Sequence, residues 1–132
     1  MRVTDLMVGD WVNVNGLNLK VGAIHADEIG VFDPDYKIYW CSDDGLDRID
    51  PIPLTEEILV KNGFVGVELT DSYELNTDYY EIEVWNYSDG LWVVNVHWIE
   101  LSSTPESKAT VSYVHQLQHL LRLCGIEKEI LI

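Results

Sequence analysis

The sequence predicts an α+β fold: a bent antiparallel sheet, with a small half-open barrel-like part at the N-terminus, packed against a C-terminal amphipathic helix, plus one short helix. Three observations predict it. Short apolar segments separated by tight turns fill the first third of the chain, two long alternating segments follow, and a helical apolar stripe lies near the end. With 132 residues, 47% of them hydrophobic, the chain fits one domain over 1–132. Within it we expect a β-rich subregion at 1–53 and a subregion at 54–132 with helices and a β-hairpin.

The N-terminal third contains the short strands. Trp11–Val14 is expected to be extended and to be followed by a turn at Asn15-Gly16, a dipeptide typical of hairpins. Leu17–Ala23 then alternates apolar and polar residues, as a half-buried strand does. Further strands are expected over Ile29–Phe32 and Tyr36–Cys41. Strands this short and this tightly joined favour a curled antiparallel sheet.

A short helix is predicted to follow the two prolines near residue 52. Thr55 is a suitable N-cap, and the two glutamates after it suit the positive end of the helix dipole. Leu54 can pack on Leu59 across the first turn. Asn62-Gly63 then favours the left-handed conformation that ends a helix.

The two long segments, Tyr79–Trp85 and Leu91–Trp98, are predicted to form a hairpin whose register the apolar pattern determines. A two-residue loop at Asp89-Gly90 would set Val84 opposite Asn95 and would mix core and polar faces. A three-residue loop from Ser88 to Gly90 makes one face wholly apolar, so the sequence favours it. The resulting pairs are Val84 with Val94, Ile82 with Val96, Tyr80 with Trp98, Glu81 with His97 and Glu83 with Asn95.

The second helix is predicted near Ser112–Cys124, where apolar residues gather into one stripe at about 100° per residue. Gly125 is expected to end the helix and Ile126 to fold back onto its last turn. The tail, Glu127–Ile132, is expected to be an edge strand or a docked extension. The stripe contains Tyr113, Val114, Leu117, Leu120, Leu121 and Cys124, and the opposite side contains Ser112, His115, Gln116, His119 and Arg122.

The net charge of −15 is the most unusual global property of the chain. Residues 1–53 carry ten acidic and four basic side chains, residues 54–104 carry ten and one, and residues 105–132 carry three of each. Because nucleic-acid binding depends on Lys and Arg that neutralise phosphates, direct binding of DNA or RNA is disfavoured. The acidity either keeps a small protein soluble, or imitates nucleic acid or attracts a basic partner.

The start of the chain and its cysteines predict a cytoplasmic protein. Asp5, Gly9 and Asp10 interrupt the apolar residues at the start, so we expect no signal peptide there, and no apolar run is long enough to span a membrane. Cys41 and Cys124 lie far apart and lack the CxxC spacing. Two free thiols are the simplest interpretation in a reducing compartment, with a disulfide or a metal role as the alternatives.

Three segments of the chain resemble a known group of proteins. They are DPIPLTEEILVKNGF at Asp50–Phe64, YEIEVWNYSDGLWVVNV at Tyr80–Val96 and SYVHQLQHLLRLCGIEKEI at Ser112–Ile130, and the N-terminal third adds only VGDWV. The chain resembles a family of small proteins of gut Bacteroidetes and of their prophages and other mobile elements. The resemblance brings no activity or ligand, and it implies a cytoplasmic protein that a prophage or mobile element encodes.

His115 and His119 are the candidate metal ligands, because two histidines four residues apart on a helix can bind one zinc ion. The metalloprotease pattern requires a glutamate directly after the first histidine, and here that residue is Gln116. His25, His97 or a carboxylate would have to complete the site in space. The alternative is an exposed pair, or a pair that hydrogen-bonds to the adjoining sheet.

Two groups of acidic residues are further candidate sites. The aspartates around Gly45 do not fit the calcium-loop template, because aligning this glycine puts Trp40 at the first ligand position, and turn formation explains them. Glu81 beside His97 suits an acid–base pair or, as the simpler reading, a cross-strand ion pair on a solvated face. The aspartates of the first group are Asp43, Asp44, Asp47 and Asp50.

No serine lies in a GxSxG context, neither cysteine lies in a nucleophile motif, and the glycine-rich phosphate loops are absent from the sequence. Of the five tryptophans, Trp92 and Trp98 fall on the apolar face of the hairpin and are expected in the core. Trp11, Trp40 and Trp85 are candidates for an exposed binding anchor, with a core position as the alternative.

From the sequence we therefore assign no catalytic, cofactor-binding or metal-binding residue and expect no enzyme. The leading hypothesis is an acidic accessory or regulatory module that binds another protein, with no direct nucleic-acid or membrane partner. The second is an inhibitor that mimics nucleic acid and blocks a basic host or phage protein, which requires an exposed row of carboxylates. The third is a small metal-dependent hydrolase that uses His115 and His119.

Overall fold

The structure, a computed structural model, describes residues 1–99 and 107–132 and has the α+β fold that the sequence predicts. Two antiparallel five-stranded sheets and few helices make up the described part of the chain. Internal contacts divide the chain into two compact units, Met1–Ile52 and Pro53–Ile132. The single domain over 1–132 stays a prediction.

The N-terminal unit is a curled half-barrel, as the short strands and tight turns predict. The strand order is β4-β3-β2-β1-β5, so the first four strands pair in chain order, the fifth pairs with the first, and the fourth is left at one edge. A short 3-10 helix, Val3–Asp5, precedes the sheet. The strands are β1 Trp11–Val14, β2 Leu17–His25, β3 Glu28–Phe32, β4 Ile38–Ser42 and β5 Ile49–Asp50.

The core of this unit lies on one face of the sheet. Along β1 the residues alternate in burial, and the side chains of Val12 in β1 and of Ile29 and Val31 in β3 have no solvent-accessible surface. Because successive side chains of a strand point to opposite faces, the residues between them lie on the outer face. The buried cluster consists of Val3, Leu6, Val12, Val14, Val21, Ile29, Val31, Cys41 and Ile49, with Leu19 packed against it.

The first helix of the C-terminal unit, α1, spans Glu56–Lys61 and has the predicted caps. Thr55 accepts a hydrogen bond at Oγ1 from the backbone N–H of Ile58 (3.3 Å). Gly63 has a φ of 89°, the left-handed conformation that ends the helix.

The C-terminal sheet has the order β10-β9-β8-β7-β6. The sequence predicts the two long strands of this sheet. Ser72–Asn76 and Ser107–Val111 form further strands that were not predicted. The strands are β6 Val65–Gly66, β7 Ser72–Asn76, β8 Tyr80–Ser88, β9 Leu91–Trp98 and β10 Ser107–Val111.

The predicted register of the β8–β9 hairpin is confirmed in all five pairs, but the predicted loop is wrong. Ser88 pairs with Leu91, so the turn contains only Asp89 and Gly90. The extra residue lies instead within β8, where the register shifts between Asn86 and Ser88. Such a bulge moves the register by one residue, which is what the apolar face requires.

The second helix, α2, spans Val114–Leu123 and ends in the predicted way. Ile126 donates its backbone N–H to Leu121 O (2.8 Å), and Gly125, with a φ of 78°, donates to Arg122 O (3.0 Å). These two bonds form a Schellman motif. At the other end, Gln116 Oε1 accepts the backbone N–H groups of residues 112 and 113 (2.8 and 3.2 Å).

The buried face of α2 differs in part from the predicted stripe. His115, which the pattern placed on the exposed side, is buried, and so is Gln118. Leu120 and Cys124, which the pattern placed in the stripe, are only partly buried. The predicted stripe is therefore correct for Val114, Leu117 and Leu121 and wrong for His115.

The tail after α2 is the docked extension rather than a strand. Gln118 holds it at two points, because its Nε2 donates to Lys128 O (2.8 Å) and its Oε1 accepts the N–H of Ile130 (2.7 Å). Asn62 likewise donates to Leu131 O and accepts from Leu131 N, both at 2.7 Å.

Within the residues that the structure describes, the helices are too short or too polar to cross a bilayer.

Candidate functional site

The outer face of the N-terminal sheet carries a set of large apolar side chains. Trp40 pairs with Gly30, and Ile38 pairs with Phe32 on the neighbouring strand. Since Ile29 and Val31 point into the core, the residues on either side of them in β3 and their partners in β4 point outward.

Two glycines allow these side chains to lie flat on the outer face. A Cβ atom on Gly22 would come within 2.5 Å of the ring of Phe32. A Cβ on Gly30 would come within 2.7 Å of Ile38 Cγ2 and 3.4 Å of the ring of Trp40. Both contacts require the absence of a side chain at the glycine.

The same face continues into a groove of about 380 Å³ that opens between β1, β2 and the turn after β3. Trp11, which pairs with Lys20, forms one wall. We call it the aromatic groove. It is lined by Trp11, Asn18, Leu19, Lys20, Phe32, Asp33, Pro34 and Tyr36.

Two residues of the aromatic groove are held in unfavourable states. Tyr36 is 87% exposed and has a φ of 61°, which is uncommon for a bulky residue. The Nε1 atom of Trp11 is buried and has no hydrogen-bond acceptor within the described residues. Such states reduce stability, and they concentrate at functional sites.

We define the outer aromatic surface as Trp11, Phe32, Tyr36, Ile38 and Trp40. Trp40 is 46% exposed, and Phe32 and Ile38 are exposed by 37% and 40%. Large aromatic side chains that stay exposed next to one another are typical of binding surfaces.

Of the two tryptophans predicted to lie in the core, Trp92 does and Trp98 does not. Trp92 is buried, and its Nε1 donates to Leu54 O (3.0 Å). Trp98 is partly exposed, and its Nε1 donates to Cys124 O (2.8 Å), which joins β9 to the end of α2. Lys108 covers the ring of Trp85 at 5.2 Å from its centroid. Trp40 is therefore the exposed candidate anchor.

The histidine pair lies next to Tyr113 at the start of α2. The ring of Tyr113 stacks on His115 with the centroids 6.0 Å apart, and His119 meets His115 edge-on at 5.6 Å. In residues 1–99 and 107–132, no group of three or more His, Cys, Asp or Glu side chains is arranged to bind a metal ion. The pair is a partly buried aromatic cluster.

Three of the four aspartates near Gly45 have structural partners. Asp43 accepts the backbone N–H of Val3, and Asp47 Oδ1 accepts from Asn15 Nδ2 (2.8 Å) and from the hydroxyl of Tyr39 (2.9 Å). This hydrogen bond to Asp47 raises the pKa of Tyr39. Asp50 pairs with Arg48 at 2.7 Å.

Glu81 and His97 are opposite each other, as predicted, at the edge of a polar recess of about 250 Å³. Glu74, which no sequence pattern indicated as part of this site, lies in β7 directly opposite Glu83. Two like charges at such a position are destabilising. The recess is lined by Glu74, Asn76, Glu81, Ile82, Glu83, Asn95 and His97.

Cys41 is a structural thiol. Its side chain is buried against Ile29, and its Sγ lies 3.8 Å from Ile29 O. Burial, together with the charge of Asp47, raises the pKa of the thiol to about 11. Since the thiolate is the reactive form, Cys41 is a poor nucleophile at neutral pH. Both cysteines are free.

The chain matches no family model, no curated protein and no solved structure.

Proposed function

We propose that the protein is a non-catalytic interaction module that binds another protein through the outer aromatic surface. It acts in the cytoplasm as an accessory or regulatory protein, of the kind that prophages and other mobile elements encode. The resemblance of three segments to the family described above supports this setting.

The observation that carries the proposal is the continuity of the aromatic groove with Trp40. An apolar sheet face next to a groove offers a partner both an area to cover and a cavity to fill. Aromatic anchors seated in such pockets contribute most of the binding free energy at protein interfaces. The strained Tyr36 and the buried Nε1 of Trp11 fit a surface selected for binding rather than for stability.

The negative charge of the chain indicates that the partner carries a positive net charge. With a net charge of −15, long-range attraction favours a basic protein and disfavours a nucleic acid. The outer aromatic surface then provides the short-range contacts and the acidic surroundings raise the association rate.

The other two hypotheses have weaker support. An inhibitor that mimics nucleic acid needs a row of carboxylates, but the row that begins with Glu74 and Glu83 continues into Asn95 and Lys108. A hydrolase needs an open histidine pair, and His115 is buried.

Site-specific photo-crosslinking tests the proposal. A benzophenone amino acid replaces Tyr36 in one variant and Tyr87, which is 71% exposed and lies in the C-terminal unit, in the matched control. In the native host we expect a discrete adduct with one basic protein from position 36 and none from position 87. Equal labelling from both positions, or no adduct from position 36, would contradict the proposal.

A further inference from the structure

Strand β4 is an open edge of the N-terminal sheet. It is the outermost strand and pairs only with β3. In the described part of the chain, Ile38–Cys41 form no backbone hydrogen bond beyond that pairing. A strand that pairs on one side only leaves every second N–H and C=O available on the other.

The exposed side of β4 lacks the protection that edge strands usually have. Natural edges carry lysine, proline or a bulge, which prevent another strand from pairing. Ile38–Ser42 contains none of these residues and pairs with β3 in unbroken register. Three consecutive large side chains, Ile38, Tyr39 and Trp40, are each at least 40% exposed along it.

Acidic turns lie at both ends of β4. Asp33 and Asp35 precede the strand, and Asp43, Asp44 and Asp47 follow it, with Lys37 as the one base in this stretch. The five residues of β4 span roughly 16 Å at about 3.3 Å per residue. Negative charge is therefore concentrated at two places separated by an apolar edge of about this length.

A second copy of this chain is a poor occupant of the edge. Two copies would bring the same acidic turns together, and each chain carries a net charge of −15. Like charges that face each other across an interface oppose association. The charge pattern favours an occupant with positive charge at both ends and apolar residues between them.

We propose that an extended cationic segment of a partner protein pairs with β4 and adds a sixth strand to the N-terminal sheet. This inference rests on the proposed function and names the chemistry of the partner. Main-chain hydrogen bonds to β4 supply affinity, as in other cases of strand addition. Alternate apolar side chains of the segment pack on Ile38 and Trp40, while Lys or Arg residues about five to seven positions apart pair with the acidic turns.

Selection from a random dodecapeptide display library against the full chain tests the inference. We expect enriched peptides with alternating apolar residues and basic residues on both sides. Enrichment of proline-rich or acidic peptides, or no enrichment, would overturn it.

Two measurements on the best peptide then separate strand pairing from simple charge attraction. The first is N-methylation of alternate backbone nitrogens of the peptide, on the edge that would face β4, which should weaken binding at least tenfold. The second is hydrogen exchange, in which the amides of β4 should become protected in the complex. Methylation of the other set of alternate nitrogens, which would point away from β4, should leave the affinity unchanged. If neither set weakens binding when it is methylated, strand addition is overturned.

Matched charge variants test the role of the acidic turns. The double variant Asp35→Asn/Asp44→Asn should bind the peptide roughly threefold to tenfold more weakly at low salt, because exposed ion pairs contribute modestly. Asp78→Asn/Asp89→Asn, two exposed loop positions of the C-terminal unit, should leave the affinity unchanged. Equal effects of the two double variants would contradict the inference. The crosslinking from Tyr36 tests the proposed function separately, since a partner can bind the outer aromatic surface without pairing with β4.

Discussion

Gln118 is expected to contribute as much to stability as a large apolar core residue. It is 4% exposed, and its amide makes two hydrogen bonds to the tail, to Lys128 O (2.8 Å) and from Ile130 N (2.7 Å). Gln118→Met keeps the length of the side chain and removes both bonds. Each bond contributes about 1 kcal/mol, and the buried N–H of Ile130, left without an acceptor, costs a further ~1–3 kcal/mol. We therefore expect a loss of about 3–5 kcal/mol in the free energy of unfolding.

Denaturant unfolding measures this loss, and hydrogen exchange locates it. The amides near Ile130 should exchange faster in Gln118→Met, whereas those of β8 should lose protection only as far as global stability falls. Leu123→Gln is the matched control, because Leu123 is 87% exposed on the same helix and its replacement should change stability by less than about 0.5 kcal/mol. A loss below about 0.5 kcal/mol in Gln118→Met would refute the assigned role of the amide.

Four further predictions concern α2, the metal content and the thiols. Leu117→Ala should lower the free energy of unfolding by about 2–5 kcal/mol in denaturant unfolding, because the side chain is fully buried. His119→Ala should lower it by less than about 1 kcal/mol. Equal losses would contradict the buried face assigned to α2. Purified protein should contain well under one equivalent of zinc by elemental analysis, with its melting temperature unchanged by chelator; stoichiometric metal would reopen the role of His115. Iodoacetamide at pH 8 should modify Cys124 before Cys41, whose pKa is about 11. Since the folded state keeps the proton of Cys41, its contribution to stability should be present below about pH 8.5 and lost as the pH rises toward 11.

The sequence predicted best the elements in which one pattern determines the structure. The register of β8 and β9 follows from the need to make one face apolar, and all five predicted pairs are present. The turn was mispredicted because a three-residue loop and a two-residue loop with a bulge give the same register. The structure has the second arrangement, with the bulge before Ser88. The caps of α1 were predictable because the side chain of Thr55 and the conformation of Gly63 act locally.

The buried face of α2 was predicted only in part because the pattern counts apolar residues alone. The tail docks on Gln118, so a polar residue is buried through hydrogen bonds that link it to Lys128 and Ile130. His115 lies three residues before it, on the same side of the helix. Hydrophobic periodicity contains no information about a hydrogen-bonding partner, such as the tail, that comes from elsewhere in the chain.

The outer aromatic surface was not predictable as a site, although Trp40 and Trp11 were named as possible anchors. It depends on the pairing of β3 with β4 and on the close approach of Phe32 to Gly22, which no short motif encodes. The available signal was the combination of two glycines on neighbouring strands with aromatic residues two to ten positions later.

The most direct test of the central claim is the affinity of the partner that crosslinks to position 36, measured by titration calorimetry. An aromatic anchor typically contributes at least about 2 kcal/mol, which corresponds to roughly a 30-fold change in the dissociation constant. Trp40→Ala should therefore weaken binding about 30-fold or more, while Tyr87→Ala should leave the dissociation constant within about twofold of the wild-type value. If Trp40→Ala binds the partner as tightly as the wild type does, the outer aromatic surface is not the binding site.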